Sequence, residues 1–382
     1  AEVALALVLL LGAGLLLGSF ARVLRQDPGF DPRGVLAAEV PLTTVRYDTD
    51  AASVAFYDQV LARVRALPGV RAAGALSMVP LTGELDTWGF HVEDQPLRNP
   101  ALAPSVVLYL GAPGTPETLG LRLLSGRYFG AEDRAGAPRV AVVGEGLARR
   151  YWPRRSPLGA RVQFGSREDD WRTVVGVVAD MRHDGLEAEA PLQAHVPYAQ
   201  ASPWRLHLLV RAGGDPAALA PALRREVRAV DPQIPVADVR TLEEVLHASL
   251  ARRRFGLLLV GGFAALALLL AGVGIYGLVA YTVQQRLREL GVRRALGATS
   301  RHLHALVLRR GLGHTALGVA LGWGAGLLLA RSIRSLLFGV AEDDPATYAA
   351  IAAAVLAVAL LACWLPARRA AAVDPAVVLR GD

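Results

Sequence analysis

The sequence predicts a membrane protein with four transmembrane α-helices and a large extracytoplasmic α+β domain. Three observations lead there. Four long runs are nearly free of charge, a long polar segment separates the first run from the second, and a dense block of arginine separates the second from the third. At 53% hydrophobic over 382 residues, the chain is more apolar than a soluble protein of its size.

The runs are residues 3–21, 255–283, 311–330 and 345–366, of 19, 29, 20 and 22 residues. About 20 apolar residues cross a hydrocarbon core of roughly 30 Å, so each is long enough and the second exceeds what a crossing needs. The first run continues into "SFARVLRQDPGF" without a small-residue cleavage site, starting methionine or basic leader, unlike a signal peptide. The expectation is that the sequence begins partway through a longer protein.

Glycine recurs within these runs at helical spacing. Gly14 and Gly18 form one small-xxx-small pair, and Gly318, Gly322 and Gly326 form two in series. Such positions let helices approach where lipid supplies no hydrophobic drive for association. "GVGIYG", starting at Gly272, matches the dinucleotide fingerprint formally, but no strand or acidic partner surrounds it. It reads as a helix-packing face.

Orientation follows from arginine bias. All 41 basic residues are arginine. The loop 284–310 holds seven of them and the tail adds Arg368, Arg369 and Arg380, whereas the loop between the last two spans carries Glu342, Asp343 and Asp344. The arginine loop, the tail and both termini are therefore expected in the cytoplasm, and the large domain outside. Arg22, Arg25, Arg252, Arg253, Arg254, Arg331 and Arg334 stand on the predicted outer side, against this bias. Arginines clustered beside apolar runs, with no interleaved aromatics, fit membrane flanks better than a nucleic-acid groove. The single cysteine, Cys363, excludes an internal disulfide and a cysteine-based zinc site.

The outer segment reads as an internal repeat of strand, helix and strand. "VLAAEVPL" is a strand, and an amphipathic helix from Ser53 to Leu67 follows with Val54, Tyr57, Val60, Leu61 and Val64 on one face. "LPGVRAAGALSMVP" turns into a second strand. The pattern returns in "RLHLLVRA", a helix from Asp215 to Val230 with Leu219, Leu223, Val227 and Val230 inward, and "VDPQIPVADV". Between the repeats, "RVAVVG", "RVQFG" and "WRTVVGVVAD" are short strands separated by turns, so the insert reads as β-rich.

No catalytic constellation is evident. The histidines are His91, His183, His195, His207, His247, His302, His304 and His314. No HExxH, GxSxG or Walker A pattern occurs among the motifs of the chain. His183–Asp184 reads as a surface turn, and the adjacent acids Glu132–Asp133 and Asp169–Asp170 read as solvated turns. His314 is an ionisable group inside a span, a functional candidate by default, but it sits close enough to the end for an interfacial position.

The arginine block is "QQRLRELGVRRALGATSRHLHALVLRRG". Leu287, Leu290 and Ala295 mark the inner side of a helix continuing the second span, Gly297 is placed to close it, and Thr299 or Ser300 to cap the next. Positive charge that holds topology explains the arginines; a docking surface also explains the compact turn.

"RLRELGVRRALGATSRHL" resembles the cytoplasmic signature of FtsX-like permeases of the MacB type, with Leu290 and Val292 where isoleucines are usual. "GIYGLVAYTVQQR", "DPAVVLRGD", "GAGLLLGSFARVLRQDPGFDP" and the outer "TLGLRLLSGRYFGAEDRAGAPRVAVVGEGLARRYWPRRSPLGARVQFG" are similar too. The combination most resembles the second half of the duplicated orphan permeases first associated with acidobacteria.

The resemblance implies a first transmembrane helix in 1–24, a periplasmic core domain in 25–252 with porter-like βαβ units and an inserted β-rich part, and an FtsX-like permease domain in 253–382. The latter would hold spans at about 255–283, 311–338 and 345–366, a cytoplasmic coupling loop 284–310 and a cytoplasmic tail 367–382. It implies a non-catalytic inner-membrane subunit working with a separate ABC-type ATPase, which binds the ATP; the chain itself needs no cofactor. Ala295, Leu296, Gly297, Ala298 and Thr299 would form the docking turn, flanked by Arg286, Arg288, Glu289, Arg293 and Arg294. Besides lipid, the other partner would be a second permease copy or an upstream duplicated half. A membrane receptor that senses an external ligand without transport is the alternative.

Overall fold

A computed structural model of the chain describes residues 2–43, 45–96, 99, 103–165, 170–285, 289, 316, 318–326, 328 and 345–371. It has two compact units, one of Gln26–Ala251 and one of Ala1–Arg25 with Arg252–Asp382.

In the first unit, strand β1 (Val35–Pro41), helix α2 (Asp50–Arg65) and strand β2 (Val70–Leu76) form one βαβ element; the helix labelled α1 (Glu2–Val23) precedes them. A second βαβ element closes the unit: β10 (Arg205–Ala212), α5 (Ala220–Val230) and β11 (Ala237–Thr241). The two interlock. β10 lies between β1 and β2, antiparallel to both, and β1 lies between β10 and β11, giving the order β11-β1-β10-β2. This is the split βαβ arrangement, in which each element fills the gap left by the other.

α2 starts at Asp50 because the Thr49 hydroxyl caps it, accepting from the Ala52 amide at 3.3 Å. That is three residues before the Ser53 expected from periodicity. Its buried face is Ser53, Phe56, Tyr57, Val60, Leu61 and Val64, with Val54 at the margin. α5 contributes Leu223 and Val227, while Leu219 lies in a 3₁₀ turn before it and Val230 is half-buried. Both helices cover one face of the four strands; β1, β2 and β10 contribute Leu36, Ala38, Val40, Ala73, Ala75, Leu206, Leu208 and Val210, and β11 the partly buried Val239.

On the other face, helix α3 (Thr115–Leu119) packs at Gly74. A Cβ there would lie 2.7 Å from the Thr115 amide nitrogen, so the close approach requires glycine.

The insert is a closed barrel. Its strands are β3 (Thr87–Val92), β4 (Ser105–Gly111), β6 (Val140–Gly144), β7 (Arg161–Phe164), β8 (Arg172–Val178) and β9 (Gln193–Pro197). They follow the circuit β4-β3-β7-β8-β6-β9, and β9 returns parallel to β4. All six fill the interior, through Phe90, Val92, Val106, Leu108, Ala141, Val143, Val162, Phe164, Val174, Val177, Ala194 and Val196. Side chains therefore pack the barrel solid. Helix α4 (Glu145–Tyr151) adds Leu147, and β5 (Leu123–Gly126) pairs with β8 outside the circuit.

The acids read as solvated turns are not all solvated. Asp133 is 5% exposed, and its carboxylate takes both Arg127 guanidinium nitrogens at 2.6 and 2.9 Å. The Gly130 backbone amide also donates to it at 2.9 Å. Glu132 stays exposed, 3.1 Å from the same arginine. Asp170 bonds Arg139 and pairs at 3.0 Å with the buried Arg172; Asp169 lies outside the described residues.

In the second unit, among the described residues, three helical segments are long and apolar enough to cross a membrane: Ala4–Val23 of α1, Arg253–Gln285 of α6 (Leu242–Gln285) and Thr347–Trp364 of α7 (Pro345–Ala371). Much of the expected span at 311–338 lies outside the described residues, although 318–326 are helical. "GVGIYG" lies within α6 with no strand before it, which excludes the dinucleotide-binding turn.

Candidate functional site

Of the residues expected to couple to an ATPase, Glu289 is described and is helical. Arg286, Arg288, Arg293, Arg294, Ala295, Leu296, Gly297, Ala298 and Thr299 lie outside the described residues, as do His302, His304 and His314.

The glycines of the spans line helix seams. A Cβ on Gly14 would lie 2.7 Å from Ile351 Cδ1, where α1 meets α7, and one on Gly272 would lie 3.1 Å from Val358 Cγ1, where α6 meets α7. In the helical segment 318–326, a Cβ on Gly322 would lie 2.9 Å from the Ala4 carbonyl oxygen, and one on Gly326 2.4 Å from Leu11 Cδ1. Gly18 and Gly318 are helical as well. Around these seams Leu7, Leu11, Leu15, Tyr348 and Val355 form a small core, and Trp323 stacks on Tyr348 at 6.1 Å. Small residues at these points let the helix backbones approach closely and associate by packing, where lipid offers no hydrophobic drive. Most of the α6 surface remains uncovered, Leu258 being 70% exposed.

In the other unit, two arginines hold the segment 26–33, which follows α1 in the chain. Arg182 donates from Nε to the Asp27 carbonyl at 3.2 Å and from Nη2 to Gln26 Oε1 at 3.1 Å, and its Nη1 bonds the Ala188 carbonyl. Its backbone amide donates to Pro28 at 2.9 Å. Arg211 donates to the carbonyls of Thr118, Arg33 and Asp31 at 2.9, 2.9 and 3.0 Å. Planar guanidinium donors suit several carbonyls at once. Arg211 belongs to the βαβ sheet and Arg182 to the connection after the barrel strand β8, so the segment is tied to both halves of the domain. Gly29, at φ 85°, makes room: a Cβ there would lie 2.0 Å from the Asp180 carbonyl oxygen.

His183 is not in a surface turn. It is 1% exposed, and its Nδ1 is 2.7 Å from the Tyr109 hydroxyl. Tyr109 stacks on His195 at 4.9 Å, and His195 Nδ1 is 3.1 Å from the Tyr128 hydroxyl. Tyr109 on β4 and His195 on β9 are register partners on the outer wall of the barrel, covered by the segments bearing Tyr128 and His183. Burial pushes the His195 imidazole down to about 3 and lowers that of His183, so both are neutral at physiological pH. Nearby, Asp180 Oδ2 accepts from the Gly146 amide at 2.7 Å, while Asp180 Oδ1 and Gln193 Oε1 are buried without a partner. Burial raises the Asp180 carboxyl above the usual carboxylate range.

Sequence reasoning missed this cluster and both arginines, since the partners are far apart in the chain. The one local signal was His195 inside the short stretch "QAHVP", which forms the fully buried strand β9. Among the described residues, no group of three His, Cys, Asp or Glu is placed to hold a metal ion.

A family model described as the MacB-like periplasmic core domain matches residues 4–226, more than half the chain, and one described as FtsX-like permease C-terminal matches residues 261–375. The pyoverdine export ATP-binding/permease protein PvdT of Pseudomonas aeruginosa is 28% identical over 289 residues, covering 71% of this chain and 42% of that protein. The macrolide export ATP-binding/permease protein MacB of Azoarcus sp. is 28% identical over 274 residues, covering 68% and 40%. The chain thus spans less than half the length of these relatives. The crystal structure of the periplasmic region of MacB from Actinobacillus actinomycetemcomitans is similar at 13% identity and a TM-score of 0.38, covering 59% of this chain and 97% of that one. With the core-domain match on the unit that holds the βαβ pair and barrel, and the permease match on the apolar helices, the chain belongs to the FtsX/MacB-type ABC transporter permeases, membrane proteins with a large extracytoplasmic α+β domain.

Proposed function

We propose that this chain is a non-catalytic permease subunit that couples ATP hydrolysis by a separate ABC ATPase to motion of its extracytoplasmic domain, for export or for mechanical signalling. The observation that carries the reading is the order of the two family matches, core domain at 4–226 and permease at 261–375. The relatives PvdT and MacB bear the words "export" and "ATP-binding/permease" in their names, which supports a nucleotide-driven partner. In this reading the chain divides into a first span at 1–24, an outer domain at 25–252 and a permease domain at 253–382, with four spans and both termini in the cytoplasm of a bacterial inner membrane. ATP is bound by the partner and no cofactor by this chain. The turn Ala295–Thr299 docks on the ATPase, flanked by the arginines from Arg286 to Arg294, and a second permease copy or an upstream half completes the assembly.

The helix seams at Gly14, Gly272, Gly322 and Gly326 support transmission through the bilayer, and Arg182 and Arg211 hold segment 26–33, the first of the outer domain, to both halves of that domain. The test is co-purification of the full chain with an ABC ATPase. Leu296→Asp with Gly297→Asp is expected to abolish the complex; undiminished binding would overturn the docking turn. A reporter fused at Ala298 is expected inside and one in 165–170 outside, and the reverse pattern would overturn the orientation.

A further inference from the structure

Four arginines that the coupling reading leaves unused stand together at one end of the membrane unit. Arg253, on α6, donates from Nη2 to Ser19 Oγ on α1 at 2.7 Å, which joins the two helices at this level. Ser19 and Arg22 are three residues apart and share a helix face, and the Arg25 amide continues the last turn by donating to the Arg22 carbonyl at 3.1 Å. Arg22 and Arg25 therefore stand beside the joint from the α1 side, and Arg253 and Arg254 from the α6 side.

Arginine in the outer domain is commonly matched by acid, as in Arg33–Asp31, Arg63–Glu226, Arg127–Asp133 and Arg205–Glu84. No ion pair among the described residues involves Arg22, Arg25 or Arg254. The acid nearest in sequence, Asp27, lies 3.9 Å from Arg122 instead. Next to these charges the helices present apolar surface: Leu17, Leu24, Phe255 and Leu258 are each more than half exposed.

We propose that this arginine cluster binds the phosphate of an anionic phospholipid, whose acyl chains lie along Leu17, Leu24, Phe255 and Leu258. The charge and its continuity with lipid-facing surface select this occupant. Guanidinium groups match phosphate oxygens in geometry as well as charge. Among the described residues no carboxylate pairs with Arg22, Arg25 or Arg254, so their charge is left for an anionic headgroup. The inference rests on the membrane spans alone and not on ATPase coupling, and it holds for either orientation.

The experiment is native mass spectrometry of the full chain in detergent with phosphatidylglycerol or phosphatidylcholine. Wild type is expected to retain phosphatidylglycerol preferentially. Arg22→Gln, Arg25→Gln and Arg254→Gln together should weaken that retention by about tenfold or more, since each arginine near an anionic surface adds roughly a factor of five. Arg224→Gln with Arg225→Gln, exposed on α5 of the outer domain, should leave it unchanged. Equal retention of both lipids by wild type, or full retention by the triple variant, would overturn the proposal. Salt gives a reading on wild type alone: the preference must fall as ionic strength rises, and an unscreened preference would overturn it too.

Discussion

The Tyr57 hydroxyl accepts from the Leu206 amide at 3.1 Å and donates to the Val40 carbonyl at 2.6 Å. Val40 and Leu206 face each other across β1 and β10, so a side chain from α2 bridges two strands at a point where they are directly opposed. The ring is fully buried, edge-on to Phe56 at 5.3 Å and to Tyr198 at 6.4 Å.

Tyr57→Phe keeps this packing and removes the bridge. A buried amide and a buried carbonyl then lose their partner, at a cost of about 1–3 kcal/mol. The expected outcome is a lower urea midpoint for the full chain with an unchanged slope. An unchanged midpoint would show that the strands close up and bond directly.

Asp180 gives the outer domain a sensitivity to rising pH. Its raised carboxyl results first from burial, then from Glu145, opposed by the Gly146 amide, Arg149 and Gln193. Asp180 Oδ1 is buried without a donor, so the charged form is short of a hydrogen bond on that oxygen. Because the folded-state value lies above the unfolded one, the folded state holds the proton more tightly. The stability gained is complete below pH 3.8 and is lost as pH rises through the folded value. Asp180→Asn mimics the neutral acid, so its stability relative to wild type should grow as pH rises. A difference that is flat across pH, or that shrinks, would remove the neutral acid from the account.

His195 acts in the opposite sense. Its folded value of about 3 lies below the unfolded 6.5, so the folded state binds fewer protons. The contribution is whole above pH 6.5 and is lost as pH falls from there toward 3. His183 and His207, both lowered by burial, add in the same direction. His195→Gln should flatten the acid limb of the stability curve of the full chain. An equally steep limb in the variant would mean that His195 is already protonated in the fold.

These two groups also show where the sequence was legible. Tyr57, Val60, Leu61 and Val64 announced a helix face by spacing, and "RLHLLVRA" coincides with β10, because helix and strand periods are local properties. The interlocking of the βαβ elements was not readable, since β10 joins β1 and β2 across more than a hundred residues. Nor was closure of the barrel, which depends on parallel pairing of Tyr109 with His195. His183 next to Asp184 looked like a solvated turn because nothing local reveals that Tyr109 lies over it. The glycine spacing of the spans was visible, but which glycine meets backbone and which meets a side chain is decided by the facing helix.

That last distinction yields a comparison between neighbours on one helix. A methyl on Gly322 would meet the Ala4 carbonyl oxygen at 2.9 Å and the Ala4 Cα at 3.0 Å, main-chain atoms that move only if α1 itself moves. A methyl on Gly326 would come closer, 2.4 Å from Leu11 Cδ1, but it would meet the end of a side chain that can change rotamer. Nominal distance ranks Gly326 as the more sensitive site, and the nature of the obstacle ranks Gly322. We expect the obstacle to decide: Gly322→Ala should lower the thermal unfolding temperature of the full chain in detergent more than Gly326→Ala, and Gly322→Leu should prevent assembly of the helices altogether. The opposite ranking would mean that α1 yields more easily than Leu11, and that the seam at Ala4 is a loose contact and not a fixed bearing.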